Sequence, residues 1–297
     1  MLARCLVPAT SPYAGAITHE EARHGVRVSV MNGTTYYWLG NTSRDQYCGV
    51  FFGLAAAFDM VAEAGVRSAI SSLGTRMLNF LLRNGWNVRM PNGGISTTFL
   101  HRPDQQLTLL QIGRRLNAAQ FDTAYAIYRF FLAGSVGVPI AAEVVDDHHS
   151  YFKFNLDAIN FYNLIRLENS SYRWLYDQAY DILRRTIDDH RNAHFNMIDR
   201  GLRGPNTARD GATISYLNEW LLRRRRDTYV DRRGIYPACG TDRACSPMRI
   251  VDRVRTDFLW QRSPFLLFGG GKGRIEGAGI DYTLPYWMGR FYGVIVE

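Results

Sequence analysis

Residues 42–58, Thr42-Ser43-Arg44-Asp45-Gln46-Tyr47-Cys48-Gly49-Val50-Phe51-Phe52-Gly53-Leu54-Ala55-Ala56-Ala57-Phe58, open on hydroxyls, pass through four polar side chains and then turn small and apolar. Hydroxyls at a helix start accept from its free N–H groups, and Asp45 in the first turn suits the positive end of the helix dipole. The stretch therefore reads as a helix. Gly49, Gly53 and Ala55-Ala56-Ala57 would let neighbouring backbones approach, which predicts a tightly packed inner position. A deep helix whose first turn stays polar, from Arg44 to Tyr47, has that end facing something polar.

Outward from this segment, helical patterns dominate: about 44–64, 67–84, 104–117, 120–134, 151–168, 172–190, 194–203, 210–226 and 281–295. They read as successive α-hairpins. Gly65, Asn84-Gly85 and Gly134 are helix stops, and Pro91-Asn92-Gly93-Gly94 and Gly204-Pro205-Asn206 are turn chemistry. Upstream, residues 26–38 alternate and are split by Asn32-Gly33, the strongest short hairpin signal, so a β-hairpin is expected there. Residues 227–280 show no helical period and are rich in Gly and basic side chains, which predicts a long loop region over a cleft. Gly269-Gly270-Gly271-Lys272-Gly273 lacks the order of a phosphate-binding P-loop. The expected fold class is mainly α, with residues 1–297 as a single helical-hairpin domain carrying a small N-terminal β-hairpin.

The 297 residues are 46% hydrophobic, enough for a substantial core. Lys and Arg number 35 against 27 Asp and Glu, a net +8 that favours anionic partners such as acidic polysaccharide. The excess is spread thinly. Its one run, Arg223-Arg224-Arg225-Arg226, reads as a charged helix end, and no nucleic-acid-binding motif accompanies it. No apolar run is long enough to cross a membrane. Met1 to Pro8 is too short for a secretory leader, so the chain is expected to have lost one or to be part of something longer. Cys239 and Cys245, in Pro237-Ala238-Cys239-Gly240-Thr241-Asp242-Arg243-Ala244-Cys245, fit a short disulfide loop in an oxidising compartment or two free thiols in a reducing one. The first alternative carries a secreted or periplasmic location.

The densest chemistry lies at Asp146-Asp147-His148-His149-Ser150-Tyr151-Phe152-Lys153-Phe154-Asn155-Leu156-Asp157-Ala158-Ile159-Asn160, where titratable groups lead into an aromatic helix. A sugar site needs this mixture: carboxylates move protons at the glycosidic oxygen, rings stack on C–H faces and amides bind hydroxyls. The same residues also serve as caps and core. Further along, Asp257, Trp260 and Arg262 offer an acid, a stacking platform and a partner for a uronate or sulfate. Asp281, just ahead of a helix with Pro285, suits capping and catalysis equally. His190 and His194 stand four apart, on one face if helical, and with His148 or His149 and an aspartate would make a metal site, although the HExxH signature is absent.

The α-hairpin series, Asp45-Gln46-Tyr47 opening an Ala/Gly-rich helix, and the closing Gly279-Ile280-Asp281-Tyr282-Thr283-Leu284-Pro285-Tyr286-Trp287-Met288 segment resemble the six-hairpin (α/α) toroid glycosidases and polysaccharide lyases. The resemblance is architectural, covers most of residues 40–297, and matches no family signature residue by residue. It implies an (α/α) toroid, or an incomplete barrel of helical hairpins completed by long loops or another subunit. It also implies a cleft lined by helix starts, on a poly- or oligosaccharide, possibly acidic. Hydrolysis would use paired carboxylates from Asp45, Asp147, Asp157 and Asp257, with His149 and Tyr151 close by, while Arg44, Gln46, Trp260 and Arg262 hold substrate. No cofactor is called for. The alternatives are a uronate lyase with a His or Tyr base, a metal-dependent hydrolase through His148, His149, His190 and His194, and a non-catalytic glycan-binding protein.

Overall fold

The computed structural model describes residues 2–19, 24–146, 151–223, 229–255, 257–270 and 279–296. The fold is mainly helical, with eleven α-helices and three small antiparallel sheets among those residues. Two compact units, Met1–Ser135 and Val136–Glu297, divide the chain.

In the first unit, β1 (Cys5–Pro8), α1 (Ala14–Thr18), β2 (Val26–Met31) and β3 (Thr34–Leu39) come first, the strands pairing in the order β1-β3-β2. Asn32 and Gly33 join β2 to β3 at φ of 49° and 77°, the two positive angles a type I′ turn requires. Helices α2 (Arg44–Met60) and α3 (Ala64–Arg83) follow, then a hairpin of β4 (Asn87–Arg89) and β5 (Ile95–Thr98), then α4 (Pro103–Leu116) and α5 (Ala118–Leu132). Every residue of α4 except Arg114 and Arg115 is buried, because α2, α3 and α5 all pack against it.

The start of α2 is a capping box in which the Ser43 N–H donates to Gln46 Oε1 at 3.0 Å. The N-terminal strand is tied to this helix start: Thr42 Oγ1 donates to the Leu2 carbonyl at 2.6 Å, and the Leu2 N–H donates to the Tyr47 hydroxyl at 3.1 Å. Close helix approach occurs elsewhere than the sequence suggests. At Gly49 and Gly53 nothing lies within 4 Å of where a Cβ would stand. The tight crossing is between α3 and α4, where Gly113 faces Leu78 and Gly74 faces Leu116.

In the second unit, α6 (Gly137–Glu143), α7 (Tyr151–Arg166), α8 (Arg173–Ile187), α9 (Ala193–Arg203), α10 (Thr207–Leu221) and α11 (Ile280–Phe291) carry the architecture. The core sits around α7 and α9: α7 packs on α8 and α9, and α9 on α10 and α11. Asn192 and Asn206 cap α9 and α10, accepting from the Phe195 and Arg209 N–H groups at 3.1 and 2.9 Å.

Within the 227–280 stretch, the described residues 229–255 and 257–270 form more regular structure than the missing period suggests. It contributes β6 (Tyr229–Asp231) paired with β7 (Phe268–Gly270), two short 3₁₀ turns, and a disulfide between Cys239 and Cys245. Met248, Ile250, Leu259, Trp260 and Leu267 are fully buried. Arg253, also buried, donates through Nη2 to the His190 and Arg191 carbonyls at 2.7 and 2.9 Å and ties the segment to the turn before α9. Irregular backbone leaves no periodic signature, so a segment read from the sequence as a loop over a cleft supplies part of the core.

Candidate functional site

A cleft of about 210 Å³ in the second unit is lined by Tyr151 and Phe152 from the start of α7, Asp242 and Arg243 from the disulfide loop, and Arg255, Gln261, Arg262, Ser263 and Leu266. Three guanidiniums therefore surround one carboxylate and one phenol. The volume is below the roughly 300–1,000 Å³ of ordinary small-molecule sites.

Tyr151 is held from behind. Its hydroxyl accepts from Asn192 Nδ2 at 3.2 Å, the same amide donates to the Trp260 carbonyl at 3.0 Å, and the phenol stacks on His190 with ring centres 5.8 Å apart. Burial pushes the phenol up to about 12, against the opposing pull of the Arg253 guanidinium. The phenol is thus protonated and closed off from solvent.

The disulfide loop is fixed by more than its bridge. The Cys239 N–H donates to the Arg243 carbonyl at 3.0 Å and the Leu267 N–H to the Asp242 carbonyl at 2.9 Å. These bonds seat Asp242 and Arg243 in the cleft wall. Arg262 makes a two-pronged ion pair with Asp257, its Nε 3.1 and 3.0 Å from the two carboxylate oxygens. Both side chains are 38% exposed, so the pair adds at most about 1 kcal/mol to stability and leaves Arg262 able to exchange partners.

The sequence-nominated residues separate. Asp45 is exposed, Arg44 is half-buried and Gln46 is engaged in the capping box, all three in the first unit. Arg262 lines the second unit's cleft with the buried Tyr151 behind it, and Asp257 stands beside the cleft as the partner of Arg262. Asp157 is closed off from solvent within α7, as are Asn160 and Asn163. Trp260 is fully buried, its indole N–H donating to the Asp281 carbonyl at 2.6 Å, so the ring is core and not a platform open to a sugar. Asp147, His148 and His149 lie outside the described residues, as do Arg224 to Arg226 and Gly271-Lys272-Gly273.

His190 and His194 do not share a helix face. Helix α9 begins at Ala193, and His190 sits in the turn before it, where Arg191 adopts a φ of 50°. His194 lies between the Phe195 and Phe258 rings, and burial lowers its imidazole to about 3, which keeps it neutral. Among the described residues no group of three or more His, Cys, Asp or Glu side chains is placed to hold a metal ion.

Asp242, Arg243, Arg255 and Gln261 were not picked out as site residues from the sequence. The signal within reach was the Cys239–Cys245 spacing, which marked Asp242 and Arg243 as a constrained loop. Asp281, read as cap or catalyst, is buried in the first turn of α11, and its carboxyl is pushed up by burial and further by the charge of Asp257. No family model, curated protein or solved structure matches this chain.

Proposed function

We propose that the protein is a carbohydrate-active enzyme that hydrolyses a glycosidic bond in an acidic poly- or oligosaccharide held at the cleft of the second unit, on a helical-hairpin scaffold of the (α/α) toroid type. The observation that carries this reading is the company Tyr151 keeps: Arg243, Arg255 and Arg262 in one small cleft, with Asp242 in its wall and Asp257 on Arg262. Guanidiniums bind carboxylate or sulfate groups in two-pronged fashion, which selects an acidic sugar. The Cys239–Cys245 bridge supports an oxidising, secreted or periplasmic setting.

In this scheme Asp242 and Asp257 share the two carboxyl roles. One gives its proton to the leaving glycosidic oxygen as the bond to the anomeric carbon breaks. The other takes a proton from the water that forms the new bond to that carbon. Asp242→Asn and Asp257→Asn test the assignment: each should lower turnover by orders of magnitude while leaving the melting temperature within a few degrees. Full activity in both variants would remove these residues from the reaction.

A lyase reading is favoured by the same phenol beside three guanidiniums, which would neutralise a uronate carboxylate while a proton leaves the adjacent carbon. Burial works against it, since Tyr151 at about 12 is a reluctant base. Product mass separates the two, because hydrolysis adds water and elimination leaves an unsaturated sugar.

A further inference from the structure

The N-terminal sheet of the first unit has one open edge. Strand β2 has β3 on one side and, among the described residues, no strand on the other. The register decides which backbone groups face that open side. The Gly40 N–H donates to the Gly25 carbonyl at 3.0 Å, and these two residues continue the register that sets Val26 opposite Leu39. Hydrogen-bonded pairs recur at every second residue of an antiparallel ladder, so they fall at Arg27 with Trp38, Ser29 with Tyr36 and Met31 with Thr34. The two-residue Asn32-Gly33 turn requires the last of these. The far side of β3 agrees: the Ala9 N–H donates to the carbonyl of Thr35, the residue opposite Val30, at 2.8 Å. Val28 and Val30 therefore turn their N–H and C=O groups away from β3, towards the open side.

Nothing in β2 keeps a further strand away. Sheet edges are ordinarily blunted by Lys, Pro, a bulge or great shortness. β2 holds neither Lys nor Pro and pairs with β3 through six successive residues without a shift of register. Val28 and Val30 share one face and are 62% and 67% exposed. Ser29 lies on the other face, where its Oγ accepts from the Trp38 indole N–H at 3.0 Å. The sheet's opposite edge is treated differently, since β1 is four residues long and ends in Pro8.

We propose that the open edge of β2 pairs with β2 of a second copy of this chain, antiparallel about a two-fold axis at Ser29, so that two three-stranded sheets join into one. The strand is self-complementary in that register. Val28 meets Val30 of the second copy and Val30 meets its Val28, so every outward N–H and C=O of these residues finds a partner across the axis. The same pairs set β-branched side chains against each other, and Arg27 comes opposite Met31, so no like charges face one another. Pairing centred on Val28 would need Val26, which already has a further partner, and pairing centred on Val30 would need Asn32 in the turn. The contact belongs to the first unit and does not depend on the saccharide reading of the Tyr151 cleft.

The test is sedimentation of the intact chain over a concentration series reaching about 200 μM. A single strand pair covers less than the roughly 800 Å² per partner of a standard interface, so a reversible dimer with Kd on the order of 10–100 μM is expected. Val28→Lys combined with Val30→Lys, both at exposed positions, sets Lys opposite Lys in each bonded pair and should leave a folded monomer. Cross-linking reads the register in a Cys5→Ser background, which removes the exposed thiol. Ser29→Cys lies on the axis, where facing Cα atoms of a non-bonded pair stand about 4.5 Å apart, and should oxidise to a covalent dimer. Val28→Cys, offset by two residues from its counterpart, should not. A chain that stays monomeric throughout the series overturns the proposal and leaves the edge to a strand of a different protein. A dimer unmoved by the two lysines, or one cross-linked by Val28→Cys and not by Ser29→Cys, overturns it as well.

Discussion

The Asn192 amide donates to the Tyr151 hydroxyl at 3.2 Å, and so couples the N-cap of α9 to the phenol in the wall of the arginine-lined cleft. The same side chain reaches the Trp260 carbonyl and accepts from the Phe195 N–H, so one buried carboxamide fixes three segments of chain. Asn192→Ala removes all three bonds and should destabilise the second unit by about 2–3 kcal/mol in urea denaturation. Asn192→Asp retains the cap but sets a buried carboxylate oxygen against the Trp260 carbonyl, so its cost should be at least as large. Equal stability of wild type and Asn192→Ala would show that the amide positions nothing.

His194 sets a pH dependence whose direction follows from burial. Its folded-state value of about 3 lies below the ordinary 6.5, so the unfolded chain binds the proton more readily between those limits. The stability tied to the neutral ring is fully present above pH 6.5 and is lost as pH falls towards 3, at up to about 1.4 kcal/mol per pH unit. Denaturation curves at pH 6.5, 5.5 and 4.5 should show this slope in the wild type and a shallower one in His194→Gln. Parallel slopes would assign the acid sensitivity to other groups.

The Cys239–Cys245 bridge holds the loop that presents Asp242 and Arg243. Reduction with a phosphine, or Cys239→Ser with Cys245→Ser, should loosen that loop, raising KM for an acidic substrate more than it lowers Tm. The six-residue separation makes the loop-closure contribution to global stability small relative to longer disulfide loops. A variant that loses its fold altogether while retaining KM until it melts would contradict this division.

Close packing in the first unit can be checked at its glycines. A Cβ at Gly113 would overlap Cδ2 of the fully buried Leu78 and stand 3.2 Å from the Phe121 ring, so Gly113→Ala should cost about 1–3 kcal/mol. Gly49→Ala and Gly53→Ala, open on α2, should instead stabilise by about 0.5–1 kcal/mol through helix propensity. Thermal melts of the three variants read both signs.

What could be read from the sequence follows from which features leave a local signature. Asn32-Gly33 demands a tight hairpin, hydroxyls mark the start of α2, and a 3.6-residue period marks the long helices, so these emerge where expected, whereas Gln46, read as a substrate ligand, closes a capping box on Ser43. Burial of Trp260 was invisible, because a ring followed by Gln261 and Arg262 looks the same whether it faces a sugar or the Asp281 carbonyl. The gathering of Arg243, Arg255 and Arg262 was equally hidden: three arginines spread along an aperiodic segment meet only through β6–β7 pairing, the disulfide and the Arg253 anchor. Asp157 shows the converse, since a carboxylate in an aromatic helix reads as catalytic until its burial is known.

The most direct measurement is to incubate the protein, wild type and Arg262→Gln, with matched neutral and uronate-containing oligosaccharides and weigh the products by mass spectrometry. The account predicts cleavage of the acidic substrates with gain of water, little action on the neutral ones, and a loss of about tenfold or more in kcat/KM in Arg262→Gln. Absence of any cleaved product from the acidic substrates, or equal turnover of neutral ones by both proteins, would contradict it.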